Sequence, residues 1–163
     1  MASERYALEA LFGTGRSEMS AHVPHCRRLG MAVVRTGPRE AVVRLPWREE
    51  IVGDPRRGVV FGGVITTLLD HAGGLAVSCS LAELTSIATL DLRIDYLRAA
   101  EPRCDLLARA ECYRLTRHVA FVRGTAWDRA AEDPFATCLA TFMLGAMGDK
   151  SGLVEAWRSR GSA

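Results

Sequence analysis

The feature of this sequence that most constrains its fold is a stretch of low charge near the middle of the chain. Residues 58–82 contain one charged side chain, Asp70, whereas 25% of the whole chain is charged, a rate that would place about six charges in such a stretch. Most of the other side chains there are aliphatic or small. A helix over 63–81 would have no polar face wide enough to meet water, so we expect it to be buried on most sides. The rest of the chain must therefore supply a cover for this helix.

Composition and charge exclude several classes of protein. An aspartate at the centre of a bilayer costs about 2.5 to 3.5 kcal/mol on insertion scales, so Asp70 argues against a membrane span. Residues 1–10 carry three charges and no apolar run, and we expect no secretory signal there. A formal net charge of +2 argues against a dedicated nucleic-acid binder. The five cysteines form no C-x-x-C pair, which predicts the reduced thiols of a cytoplasmic protein.

The remaining segments have the pattern of strands. We predict a single domain over 1–163 of the α+β class, with a short helix at about 4–12 and a peripheral tail at 146–163. The predicted strands cover 30–35, 40–45, 88–97, 104–113, 119–127 and 134–144. The first two are joined by a turn and predict a hairpin, and the last four follow one another with short links, which predicts an antiparallel meander. The expected architecture is an antiparallel sheet wrapped around one long central helix.

Alternation along the strand at 88–97 predicts one buried face and one wet or contacting face. Four apolar or aromatic residues alternate there with four polar ones: Leu90, Leu92, Ile94 and Tyr96 against Thr89, Asp91, Arg93 and Asp95. This interpretation places Thr89 on the wet face, as an ordinary outward strand residue.

Two segments together resemble a known family. The first is Phe61-Gly62-Gly63 followed by Leu68-Leu69-Asp70, Ala72, Gly74 and Ala76, and the second is the string from Ala88 to Arg98. With the order of two strands, a helix and four strands, these residues resemble the hotdog-fold thioesterases, in particular the PaaI-type group that acts on acyl-coenzyme A. The family's motif usually begins with His, where this chain has Phe61. An Asn found earlier in the family aligns with the Asp54-Pro55 region.

The resemblance implies roles for several residues. Asp70 would be the catalytic carboxylate, as nucleophile or as general base for water, and the Gly62 backbone N–H would polarise the thioester carbonyl. Thr89 falls where the family often has a hydroxyl that positions the water or the carboxylate. No cofactor or metal is needed, since coenzyme A is part of the substrate. Phe61 and Gly63 are assigned to substrate binding, with Phe61 offering an apolar wall for the acyl chain.

The spacing of Gly62 and Asp70 has a consequence of its own. Eight residues of helix separate them by about 12 Å, which is too far for both to contact one thioester from the same chain. Two antiparallel helices would bring the start of one beside the middle of the other. We therefore predict a homodimer with two equivalent sites, and dimers of dimers are common in the family that the chain resembles.

Charged residues near a predicted turn are candidates for binding the phosphates of coenzyme A. They are Arg114, Arg117 and His118, and arginine suits phosphate recognition. Such charges more often mark a solvated edge. Gly62 and Gly63 are equally compatible with a plain turn before the helix, and His71 is more easily explained as a structural or interface residue.

Three functions are consistent with this sequence. The first is hydrolysis of an acyl-CoA thioester. The second, suggested by Phe61 in place of the family's His, is non-catalytic acyl-CoA binding as a sensor or carrier. The third, hydration of enoyl thioesters, is disfavoured because no histidine stands near the start of the helix to pair with Asp70.

Overall fold

The computed structural model describes residues 16–83 and 85–145, and it holds three α-helices and eight strands in these ranges. The helices are α1 (Arg16–Ala21), α2 (Pro24–Leu29) and α3 (Gly62–Ser78), with a 3₁₀ turn at Glu49–Ile51. The strands are β1 (Ala32–Gly37), β2 (Glu40–Leu45), β3 (Val52–Asp54), β4 (Val59–Val60), β5 (Ile87–Tyr96), β6 (Leu106–Leu115), β7 (Val119–Trp127) and β8 (Ala136–Leu144). The predicted helix at 4–12 and the predicted tail at 146–163 lie outside the described residues.

Six of the strands form one antiparallel sheet in the order β1-β2-β6-β7-β8-β5, and α3 packs against it. Apolar side chains of α3 such as Leu68, Leu69 and Val77 are fully buried, which is what the low charge of this stretch predicts. The predicted sheet around one long helix is confirmed, and so is the first hairpin. No helix in the described part of the chain is both long and apolar enough to cross a membrane.

The predicted meander of four strands is wrong for β5. This strand lies at the edge of the sheet and pairs with β8 along its whole length, from Ile87 opposite Leu144 to Tyr96 opposite Ala136. The link from β5 to β6 is long enough to cross both intervening strands, about 14 Å of sheet, because each residue of extended chain spans about 3.3 Å. A hairpin link is usually far shorter.

An arginine anchors this crossing link to the turn between β7 and β8. The Arg98 guanidinium donates to both carboxylate oxygens of Asp128 at 2.8 Å and to the backbone oxygen of Asp133 at 2.8 Å. The backbone N–H of Glu101 also donates to Asp128, at 2.8 Å. These bonds, with the hydrogen bond from Arg98 first, hold the pKa of the Asp128 carboxyl well below its usual range. The link is thereby fixed where β7 ends and β8 begins, on its way to β6.

A short hairpin of β3 and β4 lies between the 3₁₀ turn and α3. Asp54 ends the first strand, and its carboxylate accepts hydrogen bonds from the backbone N–H groups of Arg56 and Arg57 at 3.0 and 3.4 Å. After the second strand, the Phe61 N–H donates to the Ile51 carbonyl at 2.9 Å. This hairpin sets the position at which α3 begins.

A β-bulge in β5 overturns the predicted alternation. The register shifts between Thr89, which lies opposite Phe142, and Asp91, which lies opposite Thr141. Leu90 is therefore the extra residue of the bulge, and it is 55% exposed rather than buried. Phe142 is buried beneath α3, so Thr89 shares the face of the sheet that α3 covers. The interpretation of Thr89 as an outward residue is wrong for this reason.

Candidate active site

Asp70 lies in the middle of α3, half-buried, and Thr89 is its hydrogen-bond partner. The Thr89 hydroxyl donates to Asp70 Oδ1 at 2.8 Å. The contact depends on the bulge at Leu90, since regular alternation would turn Thr89 to the other side of the sheet. The structure therefore brings together the carboxylate and the hydroxyl to which the resemblance assigned a shared role.

Two buried thiols lie within the electrostatic reach of Asp70. Burial raises the pKa of Cys26 and of Cys138 to about 11, and the negative charge of Asp70 adds to the rise in both cases. Both thiols are protonated and unreactive at neutral pH as a result. All five cysteines of the chain are unbridged, as predicted, and four of them are buried.

His71 follows Asp70 in the chain, but its side chain is directed to the core, where it bonds a buried residue of α1. Its Nε2 and the hydroxyl of Ser20 on α1, which is fully buried, share a hydrogen bond at 2.9 Å. Burial lowers the pKa of His71 to about 4, so the ring is neutral at physiological pH. The structural interpretation of this histidine agrees with these contacts.

The start of α3 is the second part of the candidate site. Gly62 is the first residue of the helix, and Phe61 precedes it without a side-chain capping bond. The first N–H groups of a helix have no acceptor within the helix and carry its positive dipole end. The two glycines therefore open a helix and do not form a plain turn before it.

Phe61 crosses the first turn of this helix and is 61% exposed. A Cβ placed on Gly63 would lie 2.5 Å from Cε1 of the Phe61 ring, and one placed on Gly53 would lie 2.9 Å from the Phe61 Cα. Glycine at 63 thus gives the ring room to lie against the helix. The start of α3 therefore presents the apolar ring of Phe61, where the family that the chain resembles usually has a histidine.

Tyr96 also reaches the start of α3, although neither the motif nor the resemblance gives it a role in the site. Its hydroxyl donates to the Gly62 carbonyl at 3.3 Å. The ring lies on the face of β5 that also holds Thr89, seven positions away, and it is 52% exposed rather than buried. The sequence pattern did indicate this position, because Tyr96 alternates in phase with Leu92 and Ile94 and so lies on the side of β5 that faces the helix.

Gly62 and Asp70 are part of one unbroken helix, so the expected separation of about 12 Å applies to the folded chain.

The β6–β7 turn lies at the same end of the sheet as Thr89, since the Leu144 N–H donates to the His118 carbonyl at 2.8 Å and Leu144 is opposite Ile87. Two strand spacings, about 10 Å, separate β7 from β5. The side chains of Arg114, Arg117 and His118 are exposed near this turn.

Comparison with known proteins gives a consistent family assignment. Residues 57–133, which include α3, match the thioesterase superfamily. A Halobacterium salinarum protein named provisionally as an esterase is 40% identical over 90 residues, which cover 53% of this chain and 58% of the relative. The medium/long-chain acyl-CoA thioesterase YigI of Escherichia coli is 33% identical over 90 residues, covering 47% of this chain and 58% of that protein. The match thus spans a little over half the length of these curated relatives.

Solved structures extend the likeness along the fold. A crystal structure of a Pseudomonas aeruginosa protein is 41% identical with a TM-score of 0.71, covering 82% of this chain and 98% of that one. A mutant structure of the phenylacetic acid degradation protein PaaI from Thermus thermophilus is 28% identical with a TM-score of 0.65, covering 74% of this chain and 97% of that one. The predicted resemblance to the hotdog thioesterases is confirmed: residues 57–133 form a thioesterase-superfamily domain, and the chain has the hotdog fold.

Proposed function

We propose that this protein hydrolyses an acyl-CoA thioester to a free acid and coenzyme A. The observation that carries the proposal is the 2.8 Å hydrogen bond from Thr89 to Asp70, which holds a carboxylate in a chosen orientation in the middle of the central helix. Membership of the thioesterase superfamily supports thioester hydrolysis in general. The acyl-CoA substrate is supported by the name of the E. coli relative.

Asp70 attacks the thioester carbon directly or removes a proton from the water that attacks it. Oδ1 accepts the Thr89 hydroxyl, so we assign the attacking or proton-accepting role to Oδ2. In the direct route a mixed anhydride forms as the thiolate of coenzyme A leaves, and water then hydrolyses the anhydride. In the general-base route the proton taken by Asp70 passes to the departing thiolate. Positioned acid–base groups contribute typically about 10²- to 10⁴-fold to a rate.

The Gly62 N–H at the start of α3 is the group that we assign to the thioester carbonyl. Negative charge develops on that oxygen during attack, and a fixed N–H at a positive helix end stabilises it without reorganisation. The separation of about 12 Å from Asp70 requires that the Gly62 come from a second chain. A twofold homodimer supplies it and creates two equivalent sites.

The edge position of β5 supports such a dimer. An edge strand of ten residues presents unpaired backbone groups that a second copy can use. Leu90 and Leu97 at this edge are 55% and 58% exposed, so a second copy that pairs with the edge could cover them. Association of two such dimers into a tetramer is part of the same proposal.

Substrate contacts are assigned around this centre. Phe61 gives the acyl group an apolar wall, and Gly63 leaves room for the Phe61 ring beside the substrate. We assign the phosphates of coenzyme A to Arg114, Arg117 and His118, whose side chains are exposed at the β6–β7 turn. The unbridged cysteines are typical of a cytoplasmic enzyme, which is the location that we propose.

A second candidate is non-catalytic binding of acyl-CoA, as a sensor or carrier. It is favoured by one observation, that Phe61 gives the start of α3 no side-chain capping bond and no polar group where the family has histidine. Both candidates use the same substrate-contacting residues and differ in whether the thioester bond breaks.

Thiol release from a panel of CoA esters separates the two. The panel should hold short, medium and long acyl chains and an arylacetyl group, with wild type compared with Asp70→Asn. Hydrolysis that depends on Asp70 supports the thioesterase. Binding of CoA esters without thiol release above background would establish the sensor or carrier instead. Light scattering checks the dimer, because an active monomer contradicts the two-chain site.

A further inference from the structure

The opening of α3 contains an arrangement to which the proposed function gives no role. The carbonyl oxygen of Gly62 accepts hydrogen bonds from two hydroxyl groups, that of Tyr96 at 3.3 Å and that of Thr66 at 3.1 Å. Tyr96 belongs to β5 and Thr66 to the next turn of α3. A strand and a helix therefore hold the same peptide group.

Glycine makes such restraint necessary. It has the widest range of backbone angles of any residue, so a Gly-Gly start leaves the first turn of the helix weakly restrained. The peptide group before Gly62 is held through its oxygen, because the Phe61 carbonyl accepts from the Val64 N–H at 3.0 Å. The peptide group after Gly62 is held by the two hydroxyls. The N–H groups of Gly62 and Gly63, which belong to these two peptide groups, are thereby given fixed directions.

We infer that Tyr96 is a positioning residue for thioester hydrolysis: it holds the peptide between Gly62 and Gly63, so that the Gly63 N–H joins the Gly62 N–H in meeting the developing oxyanion. This inference rests on the proposed function. Tyr96 acts through the backbone of Gly62, and no contact with the reacting atoms is required of it. Donors fixed in advance stabilise a transition-state charge more than mobile donors do.

One strand then positions both halves of the chemistry. Thr89 and Tyr96 lie on the same face of β5, where the first bonds Asp70 and the second bonds Gly62. In the proposed dimer, β5 of one chain orients the carboxylate of one site and the N–H donors of the other.

The test is Tyr96→Phe in the full-length chain, which removes the hydroxyl and keeps the ring. Loss of an oxyanion donor itself costs about 10²- to 10³-fold, and loss of its support should lower kcat by about 3- to 10-fold. KM should stay within about twofold of wild type, because the interaction gains strength in the transition state. The pH profile of kcat should keep its shape, because Asp70 and Thr89 are untouched.

Two matched variants show whether the effect is specific. Tyr113→Phe makes the same change on β6, where the ring lies 5.9 Å from the Arg123 guanidinium and keeps that contact. Thr67→Val removes a hydroxyl that donates to the Gly63 carbonyl at 3.0 Å, and the N–H of that peptide, on Val64, already donates to Phe61. Both variants should keep the wild-type kcat.

The outcomes separate the inference from the function on which it rests. A wild-type kcat in Tyr96→Phe, or an equal loss in Tyr113→Phe or Thr67→Val, overturns the positioning role while thioester hydrolysis stands. A loss of activity that follows a lowered Tm and a raised KM also overturns it, because that pattern shows a structural role. If wild type releases no thiol from any CoA ester, the proposed function fails and the inference fails with it.

Discussion

The two parts of the candidate site are held in place in different ways. Asp70 is half-buried, is bonded to Thr89 and lies within the electrostatic reach of two buried thiols. The start of α3 is exposed, and its functional groups are backbone groups held by a few hydrogen bonds. Packing therefore fixes the carboxylate, whereas the donors depend on local contacts. Changes near Asp70 should affect both stability and rate, and changes near Gly62 should affect mainly rate.

Asp70→Asn should have the largest effect. It keeps the shape of the side chain and removes the negative charge, so thiol release should fall by about 10²- to 10⁴-fold. Binding of a non-hydrolysable CoA thioether, measured by calorimetry, should stay close to wild type. A rate that remains within about tenfold of wild type would show that Asp70 is neither nucleophile nor base.

Acid should weaken the region around Asp70 through its neighbour His71. Burial lowers the pKa of His71 to about 4, while the unfolded chain has a value near 6.5, so the unfolded state binds more protons between these values. The free energy of unfolding of wild type should fall as pH decreases through this window, with a contribution from His71 approaching about 3 kcal/mol.

Urea unfolding of wild type and His71→Gln at neutral pH and at pH values down to 4 measures this contribution. His71→Gln should lose less stability on acidification than wild type. Tyr96→Phe, at the exposed start of α3, should keep the wild-type pH slope. Equal slopes for His71→Gln and wild type would mean that the histidine is not buried as a neutral ring.

Thr89→Val should show that the carboxylate needs its hydroxyl partner. A hydrogen bond to a charged group contributes about 1.5 to 3 kcal/mol, so kcat should fall by about 10- to 100-fold. Thr89→Ser keeps the hydroxyl and should recover most of the rate. If Thr89→Val retains full activity, the orientation of Asp70 is set by something else.

The smallest expected effects come from substitutions of two glycines of α3, Gly73 near Asp70 and Gly63 at the start of the helix, which compare the two regions directly. A Cβ on Gly73 would lie 3.0 Å from Cζ of Phe142, whose side chain is buried, whereas the Phe61 ring that a Cβ on Gly63 would meet is exposed and can turn away. Overpacking the core lowers the free energy of unfolding by about 1 to 3 kcal/mol, and replacing glycine with alanine inside a helix raises it by about 1 kcal/mol. Gly73→Ala should therefore lower the free energy of unfolding by about 1 kcal/mol.

Gly63→Ala should keep the wild-type free energy of unfolding in the same urea titration. It should instead change the relative kcat/KM values across the acyl panel, because the displaced Phe61 ring alters the wall beside the substrate. A larger loss of stability in Gly63→Ala than in Gly73→Ala would contradict the division between the two regions.

The sequence predicted those features that depend on composition and short-range pattern. The long helix and the isolation of Asp70 followed from one charge in a long apolar stretch, and all six main strands were found within about two residues. The order of strands in the sheet was not predicted, because the composition of the link between β5 and β6 does not indicate which strands it connects across. The role of Arg98 in that link required a partner, Asp128, that lies 30 positions away.

The bulge at Leu90 escaped prediction for a different reason. No glycine or proline marks it, and the residues on both sides continue to alternate in polarity. A shift of one residue changes the face on which Thr89 lies, so sequence pattern alone placed this hydroxyl on the wrong side. The resemblance supplied the correct pairing with Asp70, and the register of β5 against β8 explains it.

The edge position of β5 also sets the order in which the parts of the candidate site can come together. Thr89 acquires its place in the sheet from Phe142, more than fifty residues later, near the end of the last described strand. During synthesis on the ribosome, the helix that carries Asp70 is complete long before the strand that must hold its partner hydroxyl. A nascent or truncated chain therefore has the carboxylate without its alignment, and the site forms only when β8 closes the sheet.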